Sequence, residues 1–197
     1  MIDEAESVLR RDPVMAELID KHDPYSEPNW TEYERLCISI INQQLSTASA
    51  AAVRARVFDL LDDEVTPEAV LDADEQSLRD AGLSRMKTEY LRNAARAFRK
   101  NDFTKRGLAE HTDAQVVDKL TEIKGIGEWT AQMYLLFVLE RDDVLPLGDL
   151  AVRRGIELLY GNGEELTRAE MRAIAEQWRP FRSVATKYIW AEYESDS

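Results

Sequence analysis

Apolar residues along this chain recur every three or four positions, in runs long enough for helices and rarely in the alternation that marks strands. Glycine and proline are sparse (8 and 6 of 197 residues), and the pattern predicts an all-α protein. Asp12-Pro13 reads as a helix start with proline at the first helical position, running to about Lys21. His22 to Pro28 reads as an extended linker. Thr31 caps a helix whose apolar side is Tyr33, Leu36, Cys37, Ile40 and Ile41, and Ser46 caps an alanine-rich helix to Leu61. Thr66-Pro67 and Asp72-Ala73-Asp74 open short helices, the second ending at Gly82. Ser84 opens an Arg-rich helix to about Lys100, and Asp113 one that ends near Ile123. A tight turn at Lys124-Gly125-Ile126-Gly127 leads into an apolar helix from Glu128 to Leu139. Further helices are expected from Asp149, Thr167 and Arg179-Pro180, with no fixed-period repeat between them.

Composition narrows the class. Hydrophobic residues make up 44% of the chain, enough for a core without disulfide or metal staples. The single cysteine, Cys37, lies in an apolar run, so neither a disulfide framework nor a cysteine-ligated cluster can form, as suits a reducing cytoplasm. No apolar stretch approaches the ~20 residues that span a bilayer, and the first residues lack the pattern of a signal peptide. A soluble cytoplasmic protein is expected. His22 and His111 have no partners at ligand spacing, so no metal site is expected. The net charge of -13 runs against nucleic-acid binding, which favours a basic face. Two readings stay open: an acidic enzyme of small substrates, or a protein of a salt-rich cytoplasm whose local basic patch meets DNA. Only seven of the 25 basic residues are lysine, which suits the second.

Two segments carry chemistry. In Leu120 to Ala131, Gly125-Ile126-Gly127 between two amphipathic helices makes a hairpin in which glycines permit positive φ and close backbone approach. The amides that open the second helix are a seat for a phosphate oxygen. About twenty residues on, Pro146-Leu147-Gly148-Asp149-Leu150-Ala151-Val152-Arg153-Arg154 places Asp149 at a helix start. Alone, that aspartate is explained by capping; its distance from the hairpin allows a carboxylate beside a base that the hairpin positions. Trp129, Trp178 and Trp190 with Tyr134 and Tyr188 form either plain core or an aromatic pocket. Arg85, Lys87, Arg153, Arg154, Arg182 and Lys187 are candidates for phosphate contact.

These segments, together with Ile41-Asn42-Gln43-Gln44-Leu45-Ser46 and with Arg179-Pro180-Phe181-Arg182-Ser183 through Trp190, resemble the helix-hairpin-helix (HhH-GPD) DNA glycosylases. Within them the likeness is greatest to the 3-methyladenine DNA glycosylase II branch, without its N-terminal β-rich domain. The resemblance implies a single glycosylase domain of two helical lobes flanking a cleft, one of about residues 30–130, the other of 1–29 plus 131–197. It assigns Asp149 as the catalytic carboxylate. Relatives that also cut the strand carry a lysine where this chain has Trp129, so the resemblance implies a monofunctional enzyme that leaves an abasic site. Trp129, Met133, Leu150 and Trp190 would meet the substrate base, with Met133 standing where relatives have a tyrosine. Gln43, Gln44, Leu45, Ser46, Gly125, Ile126, Gly127, Thr130, Arg153 and Arg182 would meet DNA. Gln44 or its neighbour Leu45 would fill the gap left by the extruded base. An aromatic pocket would favour cationic alkylated purines. The implied partner is duplex DNA holding a damaged base, met by a monomer in the nucleoid. No cofactor is implied beyond a structural monovalent cation on the hairpin carbonyls. Two alternatives remain: a glycosylase for oxidised or deaminated bases, and a non-catalytic protein that binds damaged DNA.

Overall fold

Side-chain oxygens decide where most of the helices begin. The computed structural model describes residues 2–24 and 30–195, the side chain of Thr47 excepted. Among the described residues every regular element is helical. The elements are α1 (Ile2–Leu9), α2 (Pro13–Lys21), α3 (Glu32–Asn42), α4 (Thr47–Leu60), α5 (Pro67–Asp72), α6 (Glu75–Asp80) and α7 (Arg85–Phe98). They continue with α8 (Asp113–Thr121), α9 (Glu128–Phe137), α10 (Leu150–Tyr160), α11 (Arg168–Ala175), a single 3-10 turn at Glu176–Trp178, and α12 (Arg182–Ser195). Thr31, Thr112 and Thr167 each close a capping box, with Glu34, Gln115 and Glu170 answering from the third helical position. Asp12, Ser46, Thr66, Asp74, Ser84 and Asp149 cap α2, α4, α5, α6, α7 and α10.

Two expectations shift and one helix is added. The cap of α8 is Thr112, so Asp113 is its first helical residue rather than its start signal. Helix α12 begins at Arg182, with Pro180 in the turn that precedes it. Helix α1 was not anticipated, although Ile2, Ala5 and Leu9 repeat at helical spacing and the last two are buried. Residues 25–29 of the expected linker lie outside the described residues; His22 just before them is extended.

The chain divides into two units, Trp30–Leu139, and Met1–Asn29 with Glu140–Ser197. In the first, α3 packs against α4, α7 and α9, burying Leu36, Ile40 and Ile41 completely. Each such side chain contributes roughly 1.5–3 kcal/mol of burial. Edge-on contacts from Phe98 to Tyr33 and Tyr134 extend this core, and the Arg35 guanidinium lies 3.9 Å over the Phe137 ring. In the second unit α10 lies along α12, an approach that needs Gly155, since a Cβ there would come within 2.5 Å of Ile189. Leu9, Met15, Val152, Ile156, Met171, Trp178 and Ile189 fill its core. Asp12 is buried there yet satisfied: its carboxylate accepts from Val14 N, the Tyr160 hydroxyl (2.6 Å) and Trp178 Nε1 (3.1 Å). Glu192 of α12 ties down the end of α2 through Lys21 (2.7 Å) and His22 (2.5 Å).

Candidate functional site

The hairpin belongs to the Trp30–Leu139 unit, and its two glycines do different work. Gly125 has φ +103°, and a Cβ there would stand 2.1 Å from Cγ of Tyr90, so both conformation and space demand glycine. Gly127 has an ordinary φ of −94°, and a Cβ would meet nothing within 4 Å. Neither the backbone nor any neighbour in the chain requires glycine at 127. The residue caps α9 without a side-chain hydrogen bond, so no cap side chain occupies the first amides of that helix. Such amides, at the positive end of the helix dipole, suit an anion that approaches closely.

Side-chain amides fix the turn from behind. Gln43 Nε2 donates to Gly125 O (3.1 Å) and to Thr130 Oγ1 (3.0 Å), and Asn93 Nδ2 donates to Lys124 O (3.2 Å). Ile123 O accepts from Ile126 N. The carbonyls of 123, 124 and 125 thus each accept from a neutral N–H donor, and each oxygen has two lone pairs. These carbonyls are the groups that a monovalent cation at the hairpin would use.

The same Gln43 anchors the turn from Gln43 to Ser46, linking it to the hairpin. Lys87 Nζ reaches back from α7 to Ile41 O at 2.7 Å, and its burial lowers the lysine's proton affinity. Beyond the anchor, Gln44 is exposed in left-handed backbone at φ +58°, and Leu45 is 40% exposed. Ser46 spends its hydroxyl on the amide of Ser49 as the cap of α4. The turn thus presents Gln44 and Leu45 outward and keeps Gln43 inward.

Several residues expected at a ligand surface are packed away. Thr130, Ile126 and Met133 are all under 5% exposed. Their spacing on α9 and its entry places them on the core-facing side, and Thr130 acts as an acceptor for Gln43. Trp178, Tyr134 and Tyr188 are core residues too, whereas Trp129 and Trp190 are only half-buried.

Asp149 belongs to the other unit. Its Oδ1 accepts from Val152 N (3.0 Å), the capping bond of α10, and from the indole Nε1 of Trp190 on α12 (3.2 Å). Two donors on one oxygen fix the carboxylate's rotation. Leu150, next along, is 58% exposed. Arg153 turns its Nη1 onto the carbonyls of Leu147, Gly148 and Asp149, at 2.9, 3.1 and 3.3 Å. Arg182, expected against phosphate, is held by Asp143 through Nε (2.6 Å) and Nη2, with a side chain only 14% exposed. Arg154 pairs with Glu157 and Glu165. Among the described residues no cluster of three His, Cys, Asp or Glu is placed to hold a metal ion, and no helix is long and apolar enough to cross a membrane.

Reading the sequence did not anticipate the link from Trp190 to Asp149, the Tyr90 ring behind Gly125 or the inward turn of Arg153. One signal for the last was available. Arginines at 153 and 154 stand close to the positive end of the α10 dipole, where a cation is unfavourable unless something else holds it.

The family described as HhH-GPD superfamily base excision DNA repair protein matches residues 37–180. DNA-3-methyladenine glycosylase 1 of Schizosaccharomyces pombe is 34% identical over 161 residues, covering 80% of this chain and 71% of the relative. The solved structure of a Schizosaccharomyces pombe 3-methyladenine DNA glycosylase in complex with abasic DNA superposes with a TM-score of 0.84 at 31% identity, covering 95% of each chain. A 3-methyladenine DNA glycosylase from Archaeoglobus fulgidus gives 0.84 at 29% identity, over 99% of this chain and 70% of that one.

Proposed function

The chain belongs to the HhH-GPD superfamily of base excision DNA repair proteins, and we propose that it is a monofunctional DNA glycosylase hydrolysing the N-glycosidic bond of alkylated purines of the 3-methyladenine type. The observation that carries this reading is Asp149, a carboxylate held by the Val152 amide and the Trp190 indole at the start of α10. As the bond from C1′ to the base nitrogen breaks, its electron pair leaves with the base and positive charge grows on the sugar. A fixed carboxylate stabilises that charge without having to reorganise. Water then adds to C1′ and gives up a proton, leaving an abasic site. An alkylated purine is already cationic, departs as a neutral molecule and needs little acid assistance.

Substrate choice is assigned to aromatic side chains, Trp129 of one unit and Trp190 of the other, each half-buried and each of a type that attracts a cationic ring, with the exposed Leu150 as a further contact. Strand cleavage by β-elimination needs an amine that forms a Schiff base, and the position after the hairpin holds Trp129 instead of lysine. The DNA partner is gripped by the amides beyond Gly127, with Gln44 or Leu45 filling the vacated stack. A monovalent cation on carbonyls 123 to 125 would stiffen the hairpin without entering the chemistry. Nothing in this scheme calls for a second copy, so a monomer acting on nucleoid DNA is proposed.

The test measures free base released from methylated duplex by wild type and Asp149→Asn, beside binding of both to a duplex with an abasic-site analogue. Asparagine caps helices as well as aspartate does, so fold and binding should persist while release falls by about 10²–10³-fold. No release by wild type would overturn the substrate class. Equal release by both proteins would remove Asp149 from the chemistry.

A further inference from the structure

We infer that Arg153 is a positioning residue for Asp149, acting through the backbone of the loop rather than on DNA; the role in base release rests on the function proposed above. The loop from Leu145 to Asp149 doubles back on itself, with Leu147 N bonded to Leu145 O and Asp149 N to Pro146 O. This curl turns the carbonyls of Leu147, Gly148 and Asp149 towards one point, and Nη1 of Arg153 occupies it. Three convergent carbonyl oxygens repel one another unless a strong donor stands between them. A guanidinium, always charged and rigidly planar, provides that donor. Arg153 lies one turn into α10, so it braces the helix against the same loop whose last residue caps it.

The consequence falls on Asp149. Its backbone oxygen is one of the three that Arg153 holds, and its carboxylate depends on that backbone to reach both Val152 N and the Trp190 indole. Losing the guanidinium frees the loop carbonyls to separate. The carboxylate then swings away from Trp190 by the fraction of an ångström that matters for transition-state stabilisation. The neighbouring Arg154 cannot substitute, being turned to Glu157 and Glu165. A cation beside the positive end of a helix dipole is otherwise a disfavoured choice. The bracing role accounts for it, and a phosphate contact would leave the three carbonyls unexplained.

The experiment compares wild type, Arg153→Met and Arg153→Lys in three measurements. The first is the indole N–H resonance of Trp190 in a 15N-labelled sample, with the Trp178 N–H, bonded to Asp12, as internal reference. It needs no activity, so it decides the bracing role even if the wild type excises no alkylated base. Arg153→Met should shift the Trp190 signal and hasten its exchange with solvent while Trp178 stays in place. Arg153→Lys, still charged and able to donate, should restore most of the native signal. The second is single-turnover base release, expected to fall about 10–100-fold in Arg153→Met and to recover partly in Arg153→Lys. The third is the affinity for an abasic-analogue duplex across a range of KCl, expected within about twofold of wild type with an unchanged salt slope. An unmoved Trp190 signal in Arg153→Met would overturn the inference. So would weakened DNA binding with a salt slope reduced by about one, the mark of a lost phosphate contact.

Discussion

The two hairpin glycines should respond in opposite ways to the same substitution. In Gly125→Ala the new methyl would be built 2.1 Å from the Tyr90 ring, and the backbone would be left at φ +103°. A side chain at that φ costs about 1–3 kcal/mol, and pushing the ring aside costs about 1–3 kcal/mol more. A loss of about 3 kcal/mol lowers the melting temperature of a chain this size by about 6–12 °C. Replacing Tyr90 with alanine as well should return only the steric part, since the φ penalty stays.

Gly127→Ala has neither penalty, because φ is −94° and no atom lies within 4 Å of the added methyl. Alanine is a poorer cap than glycine by about 0.5–1 kcal/mol. A stiffer unfolded chain offsets about 0.4–1 kcal/mol of that. The melting temperature should hardly change. The methyl would add bulk at the cap of α9, beside the first amides that a phosphate oxygen would have to approach. A lost hydrogen bond to a charged group is about 1.5–3 kcal/mol, a weakening of about 10- to 100-fold. Thermal melts by circular dichroism and anisotropy of a labelled abasic-analogue duplex measure the two quantities separately. Full DNA affinity in Gly127→Ala would refute the idea that phosphate seats there. A melting loss equal to that of Gly125→Ala would refute the geometric argument itself.

Three other perturbations follow from buried or paired groups elsewhere in the fold. Asp12→Ala strands the buried Trp178 N–H and the Tyr160 hydroxyl and removes the cap of α2; urea unfolding should show a loss of about 3–4 kcal/mol, and a loss under 1 kcal/mol would count against the network. Glu192 titrates below its ordinary value because His22, and then Lys21, hydrogen-bond its carboxylate. A depressed carboxylate stabilises the fold above its unfolded value and loses that contribution as pH falls through the folded one. Glu192→Gln should therefore be less stable than wild type near neutrality, with the gap closing in acid, and a gap independent of pH would speak against the ion pair. Burial lifts the Cys37 thiol to about 12, so the native protein should resist a disulfide reagent at pH 8 and react on unfolding. Rapid native labelling would mean that the α3 core opens readily.

What the sequence disclosed, and what it hid, divides by the range of the interaction. Capping is chemistry between residues two or three apart, so the starts of α2, α3, α4, α10 and α11 could be read from Asp12, Thr31, Ser46, Asp149 and Thr167 alone. The hairpin was equally legible, because glycine spacing between amphipathic runs is a local signature. The difference between Gly125 and Gly127 was not, since it depends on Tyr90, 35 positions earlier. The sequence marks Arg182 and Thr130 as DNA contacts but does not reveal their partners within the chain, Asp143 and Gln43. A helical pattern reveals which residues share a face but not which neighbour that face meets. Asp149 is the instructive case, because its role as a cap was plain from its place in the chain. The Trp190 indole, 41 positions away, makes it more than a cap.

The acidity of the chain, at first an objection to DNA binding, follows a division of labour at helix ends. Negative partial charge gathers at helix C-termini and bent loops, where carbonyls lack partners, and four of the basic side chains are spent there. Lys87 reaches the carbonyl of Ile41 near the end of α3, Arg92 those of Leu71 and Ala73 at the end of α5, and Arg56 that of Ala81 after α6. Arg153 does the same for the loop before α10. Positive partial charge gathers at helix N-termini. Most of these are closed by Ser, Thr or Asp, but α9 opens with a glycine that no side chain caps. Cations that staple carbonyls add nothing to a counterion-releasing face, and a grip made of amides does not need one. A net charge of -13 is therefore compatible with the proposed grip on DNA, in which backbone amides would meet the phosphate while Arg56, Arg92 and Arg153 are spent on carbonyls.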